Sequence, residues 1–364
     1  MANDNANALQ PPRSRNVRPC WAWGIVMAAL GGAGLLAAFH FLGPAHSQSS
    51  MGGGPCTASI ARWQNDADAA ISFTFDDGSQ GHRDKVMPLL DAFGFKATFY
   101  VIAGKMREHR GDPAIPEPRF AYGEAALSWD EVKELHADGQ EIGNHSLAHT
   151  FLDRITDQAE LEREINGAAD IIAAHIGERP VTFAYPYNQI SPLCREVALQ
   201  RHIAAREQWT DYGGANFTTD MANGLVLRAI RDKAWLVPMI HGIDTGFMPL
   251  SSQVLHDHLA FIQRHSRQLW VDTYADVVRY QQERQAITLS VLDSHSNMLE
   301  FILTSPGSAR YDVPLTVIVS IPADAAHEDV QARSGNQVLA CVYEPGRILV
   351  HVPPEAGKVS VTWK

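Results

Sequence analysis

Residues 70–78 read Ala70-Ile71-Ser72-Phe73-Thr74-Phe75-Asp76-Asp77-Gly78. The run Ala70–Phe75 is apolar and rich in residues that favour extended backbone, so it predicts a strand. Gly78 frees the chain for a sharp turn just beyond it. Adjacent carboxylates repel, so Asp76 and Asp77 need a cation or a proton close by. An Asp-Asp-Gly run also serves as a plain turn after a hairpin strand. Whether other predicted strands end on reactive residues decides between the two readings.

Further strands are predicted at Lys96–Ile102, Gln140–Gly143, Val181–Tyr185, His202–Ala205, Val237–His241 and Leu269–Asp272. Helical patterns fall between several of them: Asp84–Phe93, Ser128–Ala137, Asp157–His175, Ser251–His265 and Thr273–Arg284. Ser128 stands three residues before Glu131, the spacing of a capping box. Alternating strands and helices imply a mainly parallel sheet closed as a barrel, with active residues at the C-terminal strand ends. After Gln285 the pattern changes. Ile287–Leu292, Met298–Thr304, Leu315–Ile321, Asn336–Tyr343, Arg347–Val352 and Lys358–Trp363 read as strands joined by Gly- and Pro-containing turns. This predicts a small antiparallel β-sandwich over residues 286–364.

Three more strand ends carry candidate chemistry. His145 and His149 lie in Glu141-Ile142-Gly143-Asn144-His145-Ser146-Leu147-Ala148-His149. Their spacing puts both imidazoles on one side of a helical turn, which suits a divalent metal, although it also fits a solvated helix face. With one carboxylate they make a three-ligand site that leaves room for water. Phe183-Ala184-Tyr185-Pro186-Tyr187-Asn188 ends the next strand, where Pro186 stiffens the turn and the Tyr187 N–H is a candidate oxyanion donor, although the run taken alone fits a plain aromatic-lined turn equally well. His241 ends Val237-Pro238-Met239-Ile240-His241-Gly242, where it is a general-acid candidate for the same face. Taken alone, a histidine there is more often structural.

The chain has 364 residues, 45% of them hydrophobic, and a formal charge of −11. That composition supports a sizeable core and excludes wholesale disorder. The acidic balance argues against nucleic acid as the main partner. The charge is uneven: residues 1–55 hold Arg13, Arg15 and Arg18 against Asp4, so the remainder carries −13. Those arginines precede an apolar run from Trp21 to Leu42, whose 22 residues suffice to cross a bilayer as a helix. They should stay cytoplasmic and send the rest of the chain outward. The run is either a signal peptide cut near Ala45-His46-Ser47 or an uncleaved anchor, and its length favours the anchor. Gly43–Gly54 then reads as a flexible linker. Either way residues 56–285 and 286–364 are expected to be periplasmic or secreted. Cys56, Cys194 and Cys341 form no C-x-x-C pair and read as small buried hydrophobes.

The set Thr74-Phe75-Asp76-Asp77-Gly78, His145-Ser146-x-x-His149, Tyr185-Pro186-Tyr187 and Ile240-His241 resembles the polysaccharide deacetylase family. This is the NodB-homology group, family 4 of the carbohydrate esterases. The resemblance covers about residues 66–285 in the family's order. It implies a distorted (β/α)7 barrel of the NodB type, here followed by the C-terminal sandwich, and a metal-dependent deacetylase of N-acetylated amino sugars in an oligo- or polysaccharide. It further implies that Asp77, His145 and His149 hold the metal, Asp76 is the general base, His241 the general acid, and the Tyr187 N–H an oxyanion donor. Zinc suits two histidines and one aspartate, and cobalt, nickel and manganese fit as well.

The chain departs from the family's pattern in places. The base-orienting arginine of the third motif is replaced by Ala184, which leaves Arg206 or Arg231 as substitutes. Asn188 stands for a common glycine, and Met239 for a leucine of the acetyl pocket. Asp211, with Trp209 nearby, is the candidate for the group that backs His241. Some relatives are O-acetyl esterases on polysaccharides such as xylan, which gives a second reading. An inactive carbohydrate-binding or scaffold protein is a third, encouraged by Ala184 and by the appended domain. Loop residues Arg107–Ala126 are expected to shape specificity. The sandwich holds only Phe301, Tyr311, Tyr343 and Trp363 as aromatics, which favours a structural or docking role over sugar binding.

Overall fold

A computed structural model describes residues 56–113, 125–305, 307, 311, 313–322 and 329–364. The expected membrane segment at 21–42 and most of the loop 107–126 lie outside the described residues. Among the described residues no helix is long and apolar enough to cross a membrane.

The chain opens with β1 (Thr57–Ile60) and then runs through the barrel strands β2 (Ala69–Ile71), β3 (Thr74–Phe75), β4 (Thr98–Val101), β5 (Glu141–Asn144), β6 (Thr182–Ala184), β7 (Ala204–Arg206), β8 (Thr210–Asp211), β9 (Trp235–Leu236), β10 (Pro238–Ile240) and β11 (Leu269–Val271). The helices are α1 (Met87–Phe93), α2 (Trp129–Ala137), α3 (Gln158–Glu162), α4 (Ala168–Ile176), α5 (Pro192–Arg201), α6 (Thr219–Asp232), α7 (Ser252–Arg264) and α8 (Tyr274–Ala286). One seven-stranded sheet has the order β7-β6-β5-β4-β3-β10-β8, with every pairing parallel. Its two edge strands, β7 and β8, follow each other in the chain with only residues 207–209 between them. The sheet is therefore curled, and a covalent link rather than a hydrogen-bond ladder joins its edges. A smaller parallel sheet, β11-β2-β9, continues the lower ends of the same strands.

The predicted strand Ala70–Phe75 is thus divided at Ser72-Phe73, and the predicted strand Val237–His241 is observed as β10, with Val237 separating it from β9. At these breaks the partners change. The lower half of the first strand pairs with β11 and the upper half with β4. That switch makes the barrel distorted rather than regular. Alternation of faces fails here because every residue from Ala70 to Phe75 is wholly buried, as expected for strands covered on both sides. The core between strands and helices includes Phe75, Phe99, Ile142, Ile240 and Leu259.

The capping box at Ser128 is present: Ser128 Oγ accepts from Glu131 N, and Glu131 reaches back to Ser128 N at 2.8 Å. The helix predicted at Asp157–His175 is observed as α3 and α4 joined through a widened turn at Arg163–Gly167. Helices α5 and α6 were not expected.

The remaining strands are β12 (Thr288–His295), β13 (Met298–Thr304), β14 (Leu315–Ser320), β15 (Gln331–Ser334), β16 (Gln337–Leu339), β17 (Cys341–Glu344), β18 (Arg347–Val352) and β19 (Lys358–Thr362). They form two antiparallel sheets, β12-β13-β19-β15-β16 and β1-β14-β18-β17. The second sheet includes β1, whose Thr57 to Ile60 pair with Ser320 to Val317 of β14. Residues 57–60, grouped with the barrel on sequence grounds, are thus paired with the sandwich. Phe301 and Trp363 are buried in the sandwich core, while Tyr343 is half-buried beside it. Trp63, Ala70, Trp270 and Tyr280 join that same core. Ala70 and Trp270 belong to the lower strands, so the sandwich packs at the barrel's lower end.

Candidate metal centre and catalytic cleft

The upper strand ends converge on a cavity of about 480 Å³ lined by Asp76, Asp77, His145, His149, Tyr187, Asp211 and His241 among others. All seven predicted site residues meet there. Asp76 continues β3, with its N–H donating to Ile240 O of β10 at 2.8 Å. Asp77 then turns the chain with φ +75° and Gly78 with φ +75°. This pair of left-handed residues bends the backbone away and leaves both carboxylates facing the cleft.

The predicted helical turn at His145–His149 is not formed. His145 leaves β5, and the chain turns through Ser146 (φ +69°) to His149 (φ +57°). Side chains hold this loop: Asn144 Oδ1 accepts from Ser146 N at 3.0 Å, and Ser146 Oγ accepts from His149 N at 2.9 Å. Glu164 accepts Leu147 N through its carbonyl and Ala148 N through its carboxylate. Local Asn and Ser bonds compete with helix here and win. The imidazoles still converge, by a route the spacing did not indicate.

His145 Nε2 lies 3.5 Å and His149 Nε2 3.4 Å from the same atom, Asp77 Oδ1. One ligand atom from each of the three residues lies within 4.8 Å of the others. The Nδ1 of His145 is 2.9 Å from Ala184 O. A carbonyl only accepts, so Nδ1 carries a hydrogen and Nε2 is the nitrogen that faces Asp77. Burial opposes charge on this ring, but Asp77 and Asp76 outweigh it and raise its pKa, and a proton on Nε2 fills the place a cation would take. Asp77 Oδ1 is buried without a hydrogen-bond partner. Lone pairs from three residues facing one point fit a divalent cation, and the carbonyl behind His145 is the kind of orienting contact metal-bound histidines use. Burial, followed by the adjacent His145, pushes the His149 pKa down to about 4, so its nitrogen is free of a proton at neutral pH.

Asp76 is 2% exposed and is gripped by Arg206 of β7. Arg206 Nη1 donates to Asp76 Oδ1 at 2.7 Å, and Nη2 to Oδ2 at 2.5 Å. Nη1 also donates to Thr74 Oγ1 at 2.8 Å, and Thr74 donates on to Pro238 O at 2.7 Å. The guanidinium lies 5.1 Å from the Tyr100 ring centre. Tyr100 in turn packs on Gly143, where a Cβ would come within 2.4 Å of the ring. Burial opposes charge on Asp76, but Arg206 and His145 outweigh it and hold its pKa below the ordinary carboxylate value. Of the two arginines that sequence left as substitutes at Ala184, Arg206 therefore occupies the place. Arg231 pairs with Asp232 on the surface. Ala184 is wholly buried and contributes its carbonyl to His145.

Tyr187 and Asn188 have φ +58° and +54°, so Asn188 adopts the glycine-like conformation, and Tyr187 does too. Tyr187 stacks on Phe151 (centroids 4.0 Å apart) and meets His149 edge-on (4.6 Å). Met239 lines the cleft and accepts from Asn188 Nδ2 through its sulfur at 3.4 Å. Asp211, in β8, lies opposite Met239 in the ladder with its side chain exposed at the cleft. Trp209 is in the link just before it. The left-handed backbone of Asp77, Ser146, His149, Tyr187 and Asn188 concentrates strain around this one cavity, as functional sites do.

At the strand ends of a parallel barrel, a two-histidine, one-carboxylate cluster that could hold a divalent cation thus lies beside a salt-bridged carboxylate. The sequence model of the polysaccharide deacetylase family matches residues 64–204, and that part of the chain is similar to the family. The match contains Asp76, Asp77, His145, His149 and Tyr187, while Arg206, Asp211 and His241 lie beyond it. A gellan lyase from a Bacillus species is 24% identical over 349 residues, covering 84% of this chain and 13% of that protein. Peptidoglycan-N-acetylmuramic acid deacetylase PdaC from Bacillus subtilis (strain 168) is 28% identical over 122 residues, covering 33% of this chain and 22% of that protein. The chain thus spans a minor part of the length of these relatives. Among solved structures, the Xyl-CE4 domain of a multidomain xylanase from the hindgut metagenome of Trinervitermes trinervoides superposes with a TM-score of 0.41 at 17% identity, over 57% of this chain and 89% of that one.

Proposed function

We propose that the protein is an exported, metal-dependent hydrolase that removes acetyl groups from N-acetylated amino sugars in an oligo- or polysaccharide. The observation that carries this is the convergence of His145 and His149 on one buried carboxylate oxygen of Asp77, beside a base held by Arg206. A divalent cation there would act as a Lewis acid on a carbonyl and lower the pKa of water. Asp77, His145 and His149 would hold it, and zinc is the first candidate.

The chain's own groups divide the remaining work. Asp76 accepts a proton from water; Arg206 occupies one lone pair on each of its oxygens and leaves the others available. Tyr187 offers its N–H to the oxyanion of the tetrahedral intermediate. His241 donates a proton to the departing nitrogen, with Asp211 proposed as its support. Amine anions are very poor leaving groups, so a general acid matters more for amides than for esters. The presence of His241 in the cleft thus favours N- over O-deacetylation. The acidic balance of the chain suits a neutral glycan.

We place the catalytic part at residues 56–285 and an accessory part at 286–364, with β1 completing the accessory sheet. The accessory part is proposed as structural, since Phe301 and Trp363 fill its core. The apolar stretch 21–42 and the peptidoglycan deacetylases among the relatives support an extracytoplasmic site of action. Acetate release from N-acetylglucosamine oligomers and from acetyl-xylan, with and without chelator, tests the reading. Activity on xylan alone would select the esterase, and no acetate from any substrate would remove the enzyme reading.

A further inference from the structure

His82 is wholly buried and follows Asp77 by five residues, outside the motifs that carry the family resemblance. It begins the widened turn His82–Val86 that leads into α1. Its imidazole sits against Phe75 (5.3 Å between ring centres) and Phe99 (5.9 Å), which are themselves stacked at 5.1 Å. Its Nε2 lies 2.6 Å from the carbonyl oxygen of His241. Because a carbonyl only accepts, Nε2 is the donor.

This contact falls where the sheet runs out. The ladder between β3 and β10 ends with Ile240 opposite Phe75. The next backbone donor of the first strand, Asp76 N, takes Ile240 O. Asp77 then turns away at φ +75°, and the His241 carbonyl lies beyond the last β3–β10 rung. His82 binds that carbonyl from the side. The same ring packs on Phe75, which immediately precedes Asp76. One side chain therefore ties the backbone of the acid candidate to the strand that carries the base candidate. The Phe247 ring lies edge-on to the His241 imidazole at 5.1 Å.

We infer that His82 is a positioning residue for proton transfer: it fixes the His241 peptide relative to Asp76 and so sets where the His241 imidazole meets the leaving group. This rests on the proposed reading of His241 as the general acid. A purely structural role, satisfying one buried carbonyl, would affect all substrates alike. A positioning role affects only those whose leaving group needs a proton.

The test compares two substrates and two variants of the full chain. His82→Phe keeps a ring between Phe75 and Phe99 but removes the donor. His82→Gln keeps a donor at a similar reach. Each is assayed on N-acetylglucosamine oligomers, whose leaving amine needs the acid, and on an activated aryl acetate, whose phenolate does not. General acid catalysis contributes about 10²–10⁴-fold, and displacing the acid should forfeit about tenfold of it. The expected result is a kcat fall of about tenfold for His82→Phe on the amide, with KM unchanged, and less than about twofold on the aryl acetate. His82→Gln should recover most of the amide rate. Equal losses on both substrates, or no loss on the amide, would overturn the inference while leaving the wild-type activity, and hence the deacetylase reading, intact. Should the wild-type enzyme release acetate from neither substrate, the deacetylase reading itself would fall, and the inference with it.

Discussion

Replacing Arg206 is the perturbation with the largest expected consequence. Arg206 and Asp76 are 1% and 2% exposed, and two hydrogen bonds of 2.7 and 2.5 Å join them across the barrel from β7 to β3. Arg206→Met keeps much of the aliphatic stem and removes the charge. Asp76 is then a buried carboxylate with neither hydrogen bond. Breaking a buried pair from one side costs about 3–5 kcal/mol, against a total stability of about 5–15 kcal/mol for a typical protein. The variant should still fold but unfold at clearly lower urea. Most of the loss comes from the stranded charge rather than from the lost attraction. Asp76→Asn in the same chain should therefore recover about 2 kcal/mol or more, a coupling that non-interacting sites do not show. Activity should fall about 10²–10⁴-fold in Arg206→Met, since the base is no longer fixed. Arg206→Lys should recover little, because an ammonium cannot hold both carboxylate oxygens in a planar fork. Urea unfolding of the single and double variants, alongside acetate release, reads all of this. A loss below about 1 kcal/mol for Arg206→Met, with no recovery in the double variant, would refute the reasoning.

Further outcomes follow from the same contacts. His202 is buried and neutral, with its pKa pushed down to about 4 by burial, and it joins Ala198 O at 2.8 Å to the Asn144 amide at 3.3 Å. A histidine that resists protonation when folded stabilises fully above its unfolded pKa near 6.5. That contribution, up to about 3 kcal/mol, is lost as pH falls from about 6.5 to about 4. Urea midpoints should decline over that window, and His202→Gln should flatten the decline. Gly143→Ala should cost about 1–3 kcal/mol, read by thermal unfolding, because its Cβ would overlap the Tyr100 ring that backs Arg206. His149→Ala should abolish stoichiometric zinc binding in calorimetry while leaving the circular dichroism spectrum unchanged, since its side chain serves the cleft rather than the core.

Much of the barrel could be read from local pattern, because its strands are short apolar runs flanked by turn residues. The seven residues of the cleft were also readable, since each ends or closely follows a predicted strand. What escaped was set by distant contacts. Arg206 could be offered only as one of two arginines, because its partner Asp76 lies 130 residues away and only the closed sheet brings them together. The four residues of β1 carry no strong pattern, and their partner β14 is more than 250 residues downstream. Helix α5 did have its signals, Ser191 as cap and Pro192 in the first turn, and they went unread. Helix α6 carries Asn223 and Gly224 mid-length, which weaken its local preference. The turn at His145 misled because the i to i+4 spacing is common to a helix and to a loop held by Asn144 and Ser146. The signal available was that Asn and Ser at those positions favour local side-chain bonds over helix.

The central claim is a deacetylase whose metal is held by Asp77, His145 and His149. The most direct test is acetate release from N-acetylglucosamine oligomers by protein stripped with chelator and then titrated with zinc. The account predicts no release from stripped protein and recovery that saturates at one zinc per chain, with Asp77→Ala showing neither binding nor activity. Undiminished release from fully stripped protein, or recovery in Asp77→Ala, would contradict it.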